Sequence, residues 1–140
     1  MSDYVIRSGS WALLETEAKM VRTEVFIKEQ NIAAADEWDL EDQKSLHFIV
    51  YDQNQAIATA RLLENHSIGR VAVLNQYRGK GIGRILMRHI MDVGQQQKRP
   101  YLKLSAQVHA IGFYQSLAFE VKGEEYLDCG IPHVDMFFMN

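Results

Sequence analysis

Cysteine, proline and long hydrophobic runs are nearly missing from this chain, and each scarcity removes a class of protein. Cys129 is the single cysteine, which excludes an internal disulfide, a CxxC redox pair and a cysteine zinc site. The five histidines stand at 47, 66, 89, 109 and 133, none at a ligand-like spacing from another and none within an HExxH, so no metal is expected. Two prolines and nine glycines in 140 residues leave little material for long disordered stretches. No apolar run approaches the roughly 18 residues of a membrane span, and Met1-Ser2-Asp3-Tyr4 lacks a basic leader followed by an apolar run. The expectation is a cytoplasmic protein without a membrane partner. Basic excess is missing too: a net charge of -3 and a pI near 5.9 argue against nucleic acid as a partner.

What is present is 47% apolar residues, enough for one core, so residues 1–140 read as a single domain. Charge is divided along the chain. From Glu15 to Asp42 there are nine acidic residues against Lys19, Arg22 and Lys28, whereas from Arg61 to Lys103 there are nine basic residues against Glu64 and Asp92. These are either two solvated faces or a basic region for a polyanion beside an acidic region that attracts a cation.

Periodicity predicts the elements. Tyr4 to Arg7 reads as a strand; Ser10 then caps a helix whose apolar stripe is Trp11, Leu14, Ala18, Val21 and Val25. Asp36 to Asp42 reads as an exposed loop or short helical turn. Leu46 to Tyr51 is apolar on both alternating faces and is predicted to be a covered strand, followed by a turn at Gln53-Asn54 and strands over 56–63 and 68–74. A helix carrying Ile82, Leu86, Ile90 and Val93 is predicted to end at Gly94 to Pro100. A strand over 101–106, a short helix over 109–117, and strands starting at Phe119 and Val134 complete the chain. Neither regular βαβ alternation nor an all-β pattern fits, which leaves a mixed α/β (α+β) sheet flanked by helices.

One motif carries chemistry. Arg78-Gly79-Lys80-Gly81-Ile82-Gly83-Arg84 follows a strand and opens a helix. Glycine costs about 1 kcal/mol against alanine inside a helix, so three of them imply that something approaches the backbone. Bare amides at a helix N-terminus, with Arg78, Lys80 and Arg84 around them, suit a diphosphate. A Walker loop is excluded because Gly79-Lys80 precedes Gly81 and no Ser or Thr for magnesium follows. The dinucleotide pattern G-x-G-x-x-G fails because Arg84 or Leu86 stands where its third glycine belongs.

The remaining pattern, R-x-x-G-x-G on Arg78, Gly81 and Gly83, resembles the acetyl-CoA loop of the GNAT superfamily of N-acetyltransferases. Arg70-Val71-Ala72-Val73 resembles the strand before that loop, and Ala110 to Phe119 resembles the short helix with the recurrent tyrosine. Val25 to Gln30 and Gly130 to Met136 resemble the small bacterial ElaA-like branch.

This resemblance implies a central mixed, splayed sheet whose gap admits pantetheine. The main chain of Val71, Ala72 and Val73 would hold it, and Arg78, Gly79, Lys80, Gly81, Ile82, Gly83 and Arg84 would hold the diphosphate. A backbone N–H near Val73 would stabilise the oxyanion. Tyr114 matches the residue that assists the departing thiolate of CoA. Glu29 is the first candidate for the general base, with Asp39, His47 and His133 as others; Cys129 is not expected to be a nucleophile. The implied function is direct transfer from acetyl-CoA, as co-substrate, to a primary amine of a small molecule or peptide. The alternative is a non-catalytic acyl-CoA sensor or partner-binding module. The acidic segment suggests a cationic acceptor, and the apolar run Phe137-Phe138-Met139, with this resemblance, suggests a homodimer.

Overall fold

The computed structural model describes residues 3–140. β1 (Tyr4–Gly9) leads into α1 (Trp11–Arg22), which starts where the Ser10 hydroxyl accepts a hydrogen bond from the Leu13 amide at 3.3 Å. Leu14, Ala18 and Val21 recur at three- and four-residue steps and are fully buried. The helix does not stop at Arg22 but widens into a π-helical segment over Thr23–Glu29.

α2 (Ala34–Glu37) and a 3₁₀ turn over Leu40–Lys44 follow, and then a meander of β2 (Leu46–Asp52), β3 (Gln55–Leu62) and β4 (Ser67–Val73). The β2–β3 turn has Gln53 at φ 49° and Asn54 at φ 73°, the paired left-handed geometry that matches strand twist. The rest of the chain forms α3 (Ile82–Gln96), β5 (Tyr101–Gln107), α4 (Ile111–Gln115), β6 (Glu120–Asp128) and β7 (Ile131–Met139).

These strands make one mixed sheet in the order β1-β2-β3-β4-β5-β7-β6. Successive residues of β2 show how it is covered. His47 lies 4.7 Å from the Trp11 ring of α1, and Phe48 lies 5.8 Å from the His89 ring of α3. Neighbours on a strand point to opposite faces, so α1 and α3 pack on opposite sides and β2 is buried from both, as its continuous apolar run predicts.

Three segments of the sequence reading gain detail. α3 ends at Gln96, between Gly94 and Pro100 as expected, and Gly94 inside it is a packing glycine: a Cβ there would stand 3.1 Å from Leu102. The segment from Asp36 to Asp42 takes the short-helical form, in α2 and the 3₁₀ turn, and within it Glu37 and Asp42 are each only 2% exposed. Phe137-Phe138-Met139 lies in β7, which is paired on one side with β5 and on the other with β6.

The pairing of β4 with β5 positions the site. These parallel strands meet at Ser67 with Lys103 and Ile68 with Leu104 and nowhere further along. Just past that point β4 bulges: Arg61 faces Gly69 and Thr59 faces Ala72, so Arg70 and Val71 together oppose Ala60. Arg70 takes a left-handed φ of 51°. A bulge sharpens local twist, and here it coincides with the divergence of β4 from β5.

Candidate functional site

The divergence opens a cleft of about 610 Å³. One wall is the π-helical segment with Val25, Phe26 and Glu29; the other is β5 with Ser105 and Gln107. The β4 bulge and Tyr114 line it, and the β6–β7 hairpin contributes Asp128, Cys129 and His133. Gln107 donates to Gln30 at 3.2 Å across these walls. Beyond Ile68, β4 has no partner strand on the β5 side, so an extended, amide-bearing ligand can take that place.

The glycine loop follows β4 directly. Gly79 and Gly81 have φ of 76° and 80° with open space where a Cβ would be, so backbone conformation, rather than crowding, demands glycine there. Gly81 is the N-cap of α3 and offers no capping side chain, and the first turn carries no acidic residue. The first amides of α3 are thus left for a ligand with negative charge. Gly83 lines the cleft and faces Phe113, whose ring would lie 3.4 Å from a Cβ.

The three cations of the loop are not equivalent. Lys80 lies over the Tyr77 ring at 5.3 Å and Arg84 donates to the Ser116 hydroxyl at 2.7 Å. Neither meets a carboxylate among the described residues. Arg78 does: it donates to both oxygens of Glu29, one at 2.8 Å, while its Nε donates to the Val73 carbonyl at 3.0 Å. The Arg78 guanidinium holds the Glu29 carboxyl below its ordinary value. Glu29 therefore stands in the cleft but is a weakened base that ties the loop to the opposite wall.

Tyr114 on α4 packs edge-on against Phe113 and Phe119, with ring centroids 5.1 and 6.1 Å away. Burial alone pushes its phenol up to about 12, so the hydroxyl stays protonated at working pH. His47 lies outside the cleft: its Nε2 meets the Asp42 carbonyl at 2.8 Å and its ring meets Trp11. Burial lowers its pKa, which suits a packed neutral ring. Cys129 lines the hairpin end, where desolvation, Asp128 and Asp36 push its thiol up and oppose the nucleophilic thiolate. Among the described residues, no group of three or more His, Cys, Asp or Glu could hold a metal ion.

The acidic segment turns out to be a partner of the basic one. Arg22, 1% exposed, donates to Glu37 at 2.8 Å and to the two oxygens of Asp42 at 2.8 and 3.2 Å. Arg61 donates to Asp42 at 2.8 Å and to Asp39 at 2.7 and 2.9 Å. Arg70 reaches the Glu37 carbonyl at 2.9 Å and lies 3.0 Å from its carboxylate. Burial pushes the Glu37 carboxyl above its ordinary value against the pull of Arg70 and Arg22. The network also anchors the side chain of the left-handed residue at the bulge, so it braces the strand that lines the cleft. No sequence signal marked this function of Arg70, although Gly69 beside it was a hint of a bulge.

Asp39 gives this network a measurable pH dependence. Hydrogen bonds from Arg61 depress its carboxyl from 3.8 to about 2. A depressed folded-state value stabilises above the unfolded pKa and is lost as pH falls toward the folded one. Stability is therefore expected to fall as pH drops from about 4 to 2, and Asp39→Asn should flatten that stretch in urea unfolding at stepped pH. An unchanged acid slope would show that the Asp39 pair contributes nothing.

A splayed parallel pair, a glycine-rich helix start beside it and a buried tyrosine over the gap define an acyl-CoA N-acyltransferase fold. The comparisons agree. Residues 14–138 match the acetyltransferase (GNAT) domain model. The chain is 36% identical over 124 residues to YjcF of Bacillus subtilis, described as an uncharacterised N-acetyltransferase, covering 86% of this chain and 89% of that one. It is 32% identical over 138 residues to the protein ElaA of Escherichia coli, covering 92% and 86%. The crystal structure of an acyl-CoA N-acyltransferase from Pseudomonas aeruginosa superposes with a TM-score of 0.87 at 28% identity, over 96% of this chain and 99% of that one. The chain belongs to the GNAT family of acetyltransferases, and as such it is an acyl-CoA-dependent N-acetyltransferase.

Proposed function

We propose that this protein transfers an acetyl group from acetyl-CoA directly to a primary amine of a small molecule or peptide. The observation that carries the reading is the open β4 edge, which runs straight into the uncapped start of α3. In this reading pantetheine pairs along Val71 to Val73, and the diphosphate lies on the amides of residues 79–84 with Lys80 and Arg84 beside it. The fit is chemical: unpaired strand groups face amides, and uncapped helix amides face phosphate. Acetyl-CoA is an intracellular metabolite, so the reading places the protein in the cytoplasm.

The amine attacks the thioester carbonyl, whose oxygen develops negative charge near the backbone N–H of Val73. Collapse of the tetrahedral intermediate breaks the C–S bond, and the hydroxyl of Tyr114 meets the departing sulfur. Arg78, held by Glu29, fixes the turn between β4 and the loop. We read Glu29 as that anchor rather than as the base.

A screen of primary amines with acetyl-CoA that detects free CoA thiol tests the activity; silence across the panel with intact acetyl-CoA binding would overturn it. The donor site is tested separately. Gly83→Asp places a carboxylate in the first turn of α3, where it favours the helix dipole and preserves folding but occupies and repels the diphosphate position. CoA affinity by calorimetry is expected to fall at least tenfold, about 1.4 kcal/mol, and ADP should compete with acetyl-CoA better than adenosine does. Unchanged affinity in the folded variant would remove the diphosphate from this helix start.

A further inference from the structure

The hairpin end of the cleft holds a histidine whose tautomer is set by its surroundings. His133 on β7 is 8% exposed and lines the cleft. Its Nδ1 lies 2.6 Å from the Ile131 carbonyl, and a carbonyl oxygen can only accept, so Nδ1 carries the proton. In the neutral ring Nε2 is then a bare lone pair. Nε2 meets no hydrogen-bond partner among the described residues, and it is not among the unpartnered atoms sealed from solvent. Nε2 is therefore reached by solvent, on a residue that lines the cleft.

The ring itself is held. It stacks on Tyr126 at 6.1 Å with 22° between planes, and the Tyr126 hydroxyl donates to Asp135 at 2.7 Å and is bonded to Ser105. The charged and titratable groups around this end are Tyr126 on β6, Asp135 on β7, Asp128 and Cys129 in the hairpin, and His109 beyond β5. Across the cleft stand Asp36, the Arg70–Glu37 pair and the Arg78–Glu29 pair. The other candidate bases are engaged: Glu29 by Arg78, Asp39 by Arg61 and Arg70, and His47 on the α1 face against Trp11.

We propose that Nε2 of His133 is the general base that deprotonates the acceptor, an amine that enters as its ammonium from the hairpin end of the cleft. The proposal rests on the acyl-transfer reading above. One N–H proton of the ammonium passes to Nε2, giving an imidazolium that later releases it to water. The neutral nitrogen forms the C–N bond as the carbonyl π pair moves to oxygen. Collapse breaks the C–S bond with the electron pair leaving on sulfur, and the second N–H proton ends on that sulfur. The sum is amide, CoA thiol and one proton released.

The test uses the best acceptor from a panel of primary alkylamines and lysine dipeptides. His133→Asn keeps an N–H donor for the Ile131 carbonyl and deletes the base, so the site should stay folded. Its kcat/KM for the amine is expected to fall on the order of 10²-fold, with acetyl-CoA affinity unchanged by calorimetry. The pH profile of kcat/KM in His133→Asn should carry only the limb of the amine itself. Added imidazole should restore part of the rate to His133→Ala. A wild-type kcat/KM and pH profile in His133→Asn would overturn the base and leave acyl transfer standing. Failure of the wild-type protein to acylate any amine while binding acetyl-CoA would overturn both.

Discussion

Tyr114→Phe is expected to lower kcat by about 10²- to 10⁴-fold while acetyl-CoA affinity and the melting temperature change little. The ring contacts with Phe113 and Phe119 survive the substitution, and only the hydroxyl is lost. With its phenol pushed up to about 12 by burial, Tyr114 is a donor that holds its proton tightly. A free thiol titrates near 8.5, so complete transfer to a thiolate would be uphill by roughly 3.5 units, about 5 kcal/mol. In the proposed reaction Tyr114 is therefore expected to act by donating a hydrogen bond to the charge that grows on sulfur. Two readouts follow. The loss appears in kcat with little change in the KM for acetyl-CoA, and no alkaline limb from Tyr114 appears below about pH 10. Wild-type turnover in Tyr114→Phe would assign the residue to packing alone.

Arg22→Met is expected to destabilise the fold by about 3–5 kcal/mol, a large share of the roughly 5–15 kcal/mol that a domain has in total. Arg22 sits 1% exposed between Trp11 and Trp38, 5.5 and 4.9 Å from their ring centroids. Its removal leaves Glu37 and Asp42 buried, with only Arg70 and Arg61 to answer them. The cost is that of stranded charge, since methionine replaces much of the volume. Lys19→Met is the contrast, because its pair with Glu15 is about half exposed on both sides and such pairs contribute roughly 0–1 kcal/mol. Urea unfolding followed by tryptophan fluorescence should show the midpoint fall steeply for Arg22→Met and barely for Lys19→Met. Equal midpoints would mean that the network is energetically idle. By the same argument Glu37→Gln with Asp39→Asn would act on stability, because both carboxylates answer arginines of this network. Of the nine acidic residues from Glu15 to Asp42, Glu17 and Asp36 are left without an ion pair among the described residues.

Much of the architecture was legible from local pattern. The stripe from Leu14 to Val25, the two-faced apolar run of β2, and the Gln53-Asn54 turn each produce their element through contacts within a few residues. The glycine loop was legible for a related reason: a positive φ at Gly79 and Gly81 and an uncapped helix start are properties of six consecutive residues. Tyr114 was found through a segment resemblance, and the structure adds its burial and the shift that follows from it.

The order of residues in this chain determined by itself that a mixed sheet with two main helices forms and that a phosphate-suited turn lies between β4 and α3. Those features depend on periodicity, capping and backbone conformation, which short windows of sequence carry. Tertiary structure alone decided which charges are free. Arg22 meets Asp42 across 20 positions, Arg78 meets Glu29 across 49, and Gln107 meets Gln30 across 77. Arg61, Arg70 and Arg78 of the basic stretch thus pair with carboxylates of the acidic one, and Glu29 becomes a tether. It decided equally that β4 bulges at Arg70 and that the hairpin end brings His133 into the cleft. The physical reason is that a charge's work depends on what folding places within a few ångströms of it, and chain closure over tens of residues leaves no local mark in the sequence.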